Sequence, residues 1–368
     1  MGLASLAVPW SLYSVVRERT NDPARARFAA MTIACWVPFA NLAFRTLGET
    51  FSTIAWALAL REWNRSPRHD ARVGALLALG FVFRYPAGVA LVPFALAHLW
   101  RRDLRALARF TLGVTIVVGL LGLLDTLTWG HPWHSLFAYA DYNLVRDRAR
   151  LDYGARPAWF YLACLVAFAP LGLLVSAASR KPSPVNRHTG ALGLVLVYLA
   201  VMSVIAHKEV RFFLPIVPFV VLAAALAREE WSPRRMRWSL ALTALQSACV
   251  LAGYAVTDVC ERDAVRAAEN VGRRADASAL VMVGASHPGY AHLHRNVPVY
   301  GDARNHPRRA LDALDRNPSR TRTGTIYFVC GAAPREFCAR ELPGRGAPEV
   351  ERVGRVTVYA LRSRAVET

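Results

Sequence analysis

A chain of 368 residues, 54% hydrophobic and with a mean hydropathy of +0.24, has the size of a large soluble protein, but its apolar residues are blocked into runs rather than alternating, the pattern of a membrane protein. The formal charge of +19 would point to nucleic acid in a soluble chain; here only two of the 45 basic residues are Lys, and many Arg lie in short clusters between apolar runs, where they act as topology signals. A nucleic-acid partner is thereby excluded.

The first run, Met1 to Val16, is followed by the basic segment Arg17 to Arg27. A secretory signal peptide has the opposite polarity, with charge first and a small-residue cleavage site after, so this is not one. Sixteen residues at about 1.5 Å each fall short of a bilayer core of about 30 Å, and the run reads as a spanning helix that starts late or has lost its beginning. Further runs follow at 28–41, 46–60, 73–83, 86–100, 109–124, 158–178, 190–206, 212–227 and 238–256, which makes ten apolar segments. The loops at 17–27, 61–72, 101–109, 180–187 and 228–237 carry four, four, four, three and four Lys plus Arg. The positive-inside rule sets these loops in the cytoplasm. They alternate strictly with the turns around Arg45 and Arg84, the excursion 125–156 and the segment His207 to Arg211, all of which then face outward.

The outward pieces gather the unusual residues. Arg45 and Glu49 are four apart, hence on one helix face, as a snorkelling cation with a local ion pair or as part of a site. Arg84-Tyr-Pro interrupts apolar sequence with one cation before a residue that ends helices, as a tight corner or again as part of a site. The excursion runs from Asp125 through Trp129, His131, Trp133 and His134 to Tyr153 and Tyr161. Such aromatics suit an interfacial belt, and they equally supply the stacking faces and donors that sugar recognition uses. His207-Lys208-Glu209-Val210-Arg211-Phe212 places four ionisable side chains within five residues between two apolar runs. That is costly inside lipid, so the hexapeptide sits at a membrane face or in a wet cavity, as a polar turn or as a functional site.

Beyond residue 256 the composition changes. Cys260 to Arg274 and His306 to Asn317 read as helices, and Ala279 to Ser286, Thr325 to Cys330 and Arg355 to Leu361 as strands. The expected organisation is a transmembrane domain over 1–256 and a small extracytoplasmic α/β domain over 257–368. His292 and His294 have chelating spacing, but no Cys or acidic partner stands near to complete a site, so no metal is expected. Cys35, Cys164 and Cys249 read as packing residues in apolar runs. Cys330 and Cys338 are placed where a disulfide is permitted, with Cys260 as a competing partner.

The order His-Lys-Glu-x-Arg-Phe-x-x-Pro-x-x-Pro, completed by Leu214, Pro215 and Pro218, closely resembles the signature of glycosyltransferase family 22, the lipid-linked-sugar-dependent mannosyltransferases of the glycosylphosphatidylinositol mannosyltransferase type. Arg45-Thr with Glu49, Arg84-x-Pro, and the loop pattern of Asp125, Trp-Gly-x-x-Trp, Tyr-Asn and Tyr-Gly-x-x-Pro-x-x-Tyr are similar to the family's as well. The resemblance covers roughly 28–227 and implies an all-α polytopic membrane protein, a GT-C-like bundle of about ten transmembrane segments with the C-terminal α/β domain outside. It implies an inverting hexosyltransferase that moves mannose from a polyprenyl- or dolichyl-phosphate mannose to a lipid-linked or lipid-anchored glycan, with no cofactor. Lys208, Arg211, His207 and Arg84 would neutralise or donate to the donor phosphate, with Glu209 orienting the cations. Arg45, Glu49, Asp125, Trp129 and Tyr153 would shape the sugar and acceptor pocket.

One departure from the family concerns the general base. The family's first helix and acidic first outer loop are not found ahead of residue 28, so the base is expected in a missing N-terminal loop, with Asp125 as the nearest substitute. The chain then reads as an enzyme whose reading frame starts too late, or as a catalytically incomplete fragment. A transporter of lipid-linked sugar and a non-catalytic membrane scaffold are the alternatives. A transporter would usually show repeated halves, which this sequence lacks. The Arg-rich, Lys-poor composition inclines the location to a bacterial plasma membrane, or to the endoplasmic reticulum membrane in a eukaryote.

Overall fold

The computed structural model describes residues 2–43, 48–65, 69–172, 174, 190–226, 231–257, 262–283, 298–301, 308, 311–312, 324–331 and 335–362. It is mostly helical with a small sheet, and it divides into two compact units, residues 1–251 and 252–368.

In the first unit the described α-helices of six residues or more are α1 (Ala7–Thr20), α2 (Pro23–Ala34), α3 (Val37–Ala43), α4 (Gly48–Asn64), α5 (Asp70–Phe83), α6 (Leu91–Trp100) and α7 (Leu104–Trp129). They are followed by α8 (His134–Ala140), α9 (Arg148–Tyr153), α10 (Phe160–Phe168), α11 (Ala191–Val204), α12 (Val217–Leu226) and α13 (Pro233–Thr257), within which the division between the units falls. Their corners follow from local sequence. Asn21 closes α1 in the left-handed region at φ 54°, and Asp22 then caps α2 by accepting from the amides of Ala24 and Arg25, with Pro23 preset for the first helical turn.

The apolar run 28–41 is not one helix but breaks at Trp36 between α2 and α3, ahead of Pro38. The amide of Val37, freed by the break, donates to Ser247 Oγ at 3.2 Å. A second break follows α10 at Pro170, and there Gln246 donates to the carbonyls of Ala167 and Ala169 at 3.0 Å and accepts from Leu171 N. Two side chains one residue apart on α13 thus satisfy backbone groups that proline would leave unpaired in an apolar setting. The run 86–100 likewise opens as a 3-10 turn, Tyr85–Ala90, before α6.

Helices α5 and α7 cross in close contact. A Cβ on Gly74 would lie 2.1 Å from Phe110 O, and one on Gly113 would lie 2.0 Å from Ala71 O, so the two backbones touch through paired glycines. Among the described residues α7 is long and apolar enough to cross a membrane, and its outer face shows Leu112, Ile116, Leu120, Leu123 and Leu127 to the surroundings. The stretches Tyr85–Trp100, Ala191–Val204 and Val210–Leu226 are apolar but shorter. The segment 125–156, expected as a polar excursion, begins inside α7 and carries α8 and α9. Cys164 is buried as expected, whereas Cys35 and Cys249 are exposed and fill no core position.

The second unit contains α14 (Arg262–Gly272), β1 (Ala277–Val283), β2 (Val299–Gly301), β3 (Thr325–Cys330), α15 (Arg335–Gly344), β4 (Glu349–Val353) and β5 (Val356–Arg362). The sheet order is β2-β1-β3-β5-β4, parallel through β2-β1-β3 and antiparallel from β3 onward. Ala264, Ala267, Ala268 and Val271 of α14 cover one face against Leu280, Met282, Tyr327 and Val329; Cys338 and Leu342 of α15 cover the other against Val281 and Phe328. Cys330 and Cys338 form a disulfide. Gly354, at φ 53°, turns β4 into β5 where a side chain would strike the Asp263 carboxylate. Residues 284–297, which hold His292 and His294, lie outside the described residues, as do Cys260 and nearly all of the helix expected at 306–317.

Candidate functional site

Two helix ends create the first half of the site. Pro86 stops α5 after Phe83, leaving Arg84 extended at φ −154°. Gly48 opens α4 directly against that end, since a Cβ there would sit 2.5 Å from Phe83 O. The next residue, Glu49, is 2% exposed in the first turn of α4, where a carboxylate suits the helix dipole, and its Oε1 stands 3.1 Å from Arg84 Nη1.

The second half is the hexapeptide. After α11 ends at Val204, residues 205–209 run without helix until Glu209 leads into the turn Val210–Phe213. Tyr198 of α11 donates its hydroxyl to Phe212 O at 2.5 Å and fixes that turn. Arg211 grips Glu209 with two nitrogens, Nε at 2.7 Å and Nη2 at 2.9 Å, and its Nε also lies 3.8 Å from Glu49 Oε1. The halves therefore meet at Glu49. Between them the Phe212 ring carries the Arg84 guanidinium 3.9 Å from its centroid and that of Arg211 at 5.3 Å.

His207 bridges to the end of the excursion. Its Nδ1 lies 3.2 Å from Gly154 O and its Nε2 3.0 Å from Glu209 Oε1. Arg156 N donates to Ala206 O at 3.0 Å, so 154–156 and 206–207 run side by side. Lys208, expected beside the donor phosphate, is 4% exposed and donates to the carbonyls of Ile205 and Arg156. Burial pushes its ammonium below the ordinary lysine value. Burial alone would raise the Glu209 carboxyl, but hydrogen bonding and charge from Arg211, then from His207, bring it below the usual carboxylate range.

The excursion is fastened to the same corner. Asp125, 4% exposed on α7, accepts from Ser135 N at 2.8 Å and from Ser135 Oγ at 2.5 Å, and Tyr85, next to Arg84, donates to Ser135 Oγ at 2.7 Å. Tyr85 and Tyr139 have ring centroids 5.1 Å apart. Burial holds the Tyr139 phenol above its usual range, with Arg84 lowering it and Glu49 raising it, which sets that phenol in the field of the pair. Trp129 is exposed and stacks on His134. Arg45 lies outside the described residues, and so does the side chain of Tyr153, whose backbone closes α9.

Glu49, Arg84, His207, Glu209 and Arg211 are thus brought together, Asp125 is joined to them through Ser135 and Tyr85, and Trp129 stands on the outer part of the excursion. Phe212 as a cation platform, Ser135 as a coupling hydroxyl and Tyr198 as a fastener are not foreseen by sequence reasoning. Of these, Phe212 alone carries a signal, as the last letter of the charged hexapeptide. The arrangement offers two held guanidiniums and an imidazole to an incoming anion, beside exposed aromatic surface.

The model of the Alg9-like mannosyltransferase family matches residues 1–272. Among curated proteins the chain is 27% identical over 296 residues to GPI mannosyltransferase 3 of Yarrowia lipolytica, covering 75% of this chain and 56% of that protein. It is 26% identical over 238 residues to GPI alpha-1,2-mannosyltransferase 3 of Bos taurus, covering 60% of this chain and 41% of the other. The chain spans about half the length of these relatives. Among solved structures, ArnT from Cupriavidus metallidurans bound to undecaprenyl phosphate shares the fold, with a TM-score of 0.64 at 12% identity over 97% of this chain and 82% of that one.

Proposed function

We infer function from one premise, that this chain belongs to the Alg9-like mannosyltransferase family. On that premise it is a membrane-embedded, multi-pass enzyme that moves mannose from a polyprenyl-phosphate-linked donor to a lipid-linked or lipid-anchored glycan at the outer membrane face, with inversion. The exposed leucine face of α7 supports the membrane setting. The observation that carries the chemistry is the convergence of Arg84 and Arg211 on Glu49 with Phe212 between them.

In the transfer, an acceptor hydroxyl oxygen forms a bond to the anomeric carbon and gives up its proton to a base or to water, while the bond from that carbon to the phosphate oxygen breaks. The departing polyprenyl phosphate gains charge, which fixed cations stabilise without reorganising. Arg84 and Arg211 fill that role, each braced by carboxylates that keep the fork aimed. His207 donates to the phosphate or to a sugar hydroxyl, and Glu209 orients Arg211 and His207. Lys208 is a positioning residue that ties the 205–208 turn to Arg156. Asp125 organises the excursion through Ser135, and Trp129 offers a sugar-stacking face. No general base is assigned among the described residues.

The test incubates membranes carrying the chain with radiolabelled polyprenyl-phosphate mannose and a lipid-linked glycan acceptor, and measures donor binding by the purified protein in parallel. Transfer is expected, with a loss of about 100-fold in Arg84→Ala and in Arg211→Ala while both variants still insert. Passage of label across the membrane without transfer, or undiminished transfer in both variants, would overturn the assignment.

A further inference from the structure

Trp63, near the end of α4, separates two clefts that share no residue with the site above. One, of about 370 Å³, is walled mainly by apolar groups, among them Pro93, Phe94, Leu192 and Leu196. The other, of about 480 Å³, lies across the indole and is lined by Arg19, Arg65, Arg101 and Arg109 with Asp70 and Asp103. The Trp63 ring meets Phe94 edge-on at 5.0 Å, and the Arg101 guanidinium lies 5.2 Å from its centroid, so the indole is the wall common to both. Several of the cations already have partners. Arg109 Nη2 lies 3.1 Å from Asp70, Arg65 and Arg61 both meet Glu62, and Arg19 donates to Asn64. Among the described residues the lining holds four guanidiniums and two carboxylates, an excess of two positive charges.

The location narrows the ligand. Asp70 starts α5 and Arg84 follows its end, so the basic cleft lies about 20 Å from the candidate site, at the opposite end of that helix. In a membrane-embedded bundle that end meets the other lipid–water boundary, and Leu192 and Leu196 are exposed along the neighbouring groove. A basic cleft at headgroup level, an indole at its rim and an apolar groove leading inward match a molecule with a phosphodiester head and a hydrocarbon tail. A free phosphate would leave the groove unused.

We propose that the two clefts form one binding site for an anionic phospholipid, whose phosphate is held by Arg65, Arg101 and Arg109 and whose acyl chain lies along Phe94, Leu192 and Leu196. The proposal rests on the membrane setting and not on the transfer reaction.

The purified full chain in detergent is titrated with phosphatidylglycerol, phosphatidylcholine or sn-glycerol 3-phosphate, and its melting temperature and lipid adducts in native mass spectrometry are followed. Phosphatidylglycerol is expected to bind at least tenfold more tightly than phosphatidylcholine and to raise the melting temperature, with no shift from the soluble headgroup. Arg65→Ser combined with Arg101→Ser should lose most of that shift. Leu196→Trp, a surface change that fills the groove, should do the same if the double variant fails to fold. Equal shifts from both lipids, a full shift from glycerol phosphate alone, or an unchanged response in both variants would overturn the proposal. Arg84→Ala should keep the phosphatidylglycerol response while losing donor binding; loss of both would place the lipid in the transfer site and sink this inference alone.

Discussion

Glu49, in the first turn of α4, and Arg84, the residue after α5, meet at 3.1 Å, and the carboxylate that joins them is 2% exposed. The contact binds two antiparallel helices at one end and fixes the cation on which the hexapeptide closes. Removing one partner of a buried pair leaves the other uncompensated, a cost of about 3 kcal/mol. Glu49→Gln is therefore expected to lower the melting temperature in detergent by roughly 6–12 °C and to reduce donor binding through misaimed Arg84 and Arg211. A variant that melts and binds like the parent would show that Glu49 is not the pivot.

Phe212 gives a milder test of the same corner. A ring under a guanidinium contributes about 0.5–2 kcal/mol, so Phe212→Leu should weaken donor binding by about 2- to 30-fold. Phe212→Tyr keeps the π face and should bind as the parent does. Equal behaviour of the two variants would assign Phe212 to packing alone.

The Glu209 carboxyl is held below its ordinary value near 4.3, so the charge it presents to Arg211 and His207 is intact above about pH 5. The sign follows from linkage: a depressed carboxylate stabilises the folded turn above its unfolded range, and that stabilisation is lost as pH falls through the lowered value. Donor affinity is expected to show an acid limb below the ordinary carboxylate range that Glu209→Gln removes.

Asp125 is predicted to act on order rather than on chemistry. Asp125→Ala leaves Ser135 N and Oγ without their acceptor, so hydrogen exchange and limited proteolysis should rise across 131–145. A variant with unchanged protection and transfer abolished about 100-fold would instead make Asp125 the general base.

The α5–α7 crossing separates two glycines on one helix. Gly113→Ala drives a methyl into Ala71 O and should cost about 2–3 kcal/mol, whereas Gly119→Ala meets nothing within 4 Å and should be neutral or slightly stabilising. Melting curves of the two variants in one detergent decide this; equal midpoints would place the crossing elsewhere.

Much of the site's membership is written in local sequence. Four ionisable groups between apolar runs, and a lone Arg before Pro86, mark themselves by being expensive where they stand. What sequence does not carry is the pairing. Arg45 and Glu49 share helical spacing; among the described residues Glu49 meets Arg84 and Arg211, and it is the abutting ends of α4 and α5 that bring Arg84 to it. The family resemblance implies a phosphate role for Lys208, and sequence does not show that its ammonium meets the carbonyls of Ile205 and Arg156 that the break after α11 frees. The helix breaks at Trp36 and Pro170 are concealed by unbroken hydrophobicity, because the residues that mend them, Ser247 and Gln246, lie far along the chain. In the α/β unit the central strands announce themselves as fully buried runs, while the edge strand Glu349–Val353 alternates charge with valine and resembles a loop.

The rods α4 and α5 hold 17 and 14 residues, hence about 25 Å and 21 Å of length, while the hydrocarbon layer they would traverse is about 30 Å thick. Arginines terminate both rods, so the surrounding leaflets would have to dimple toward the protein to keep those charges wet. A thinner layer around these rods would set Arg84 at the level of the surrounding headgroups rather than within the hydrocarbon.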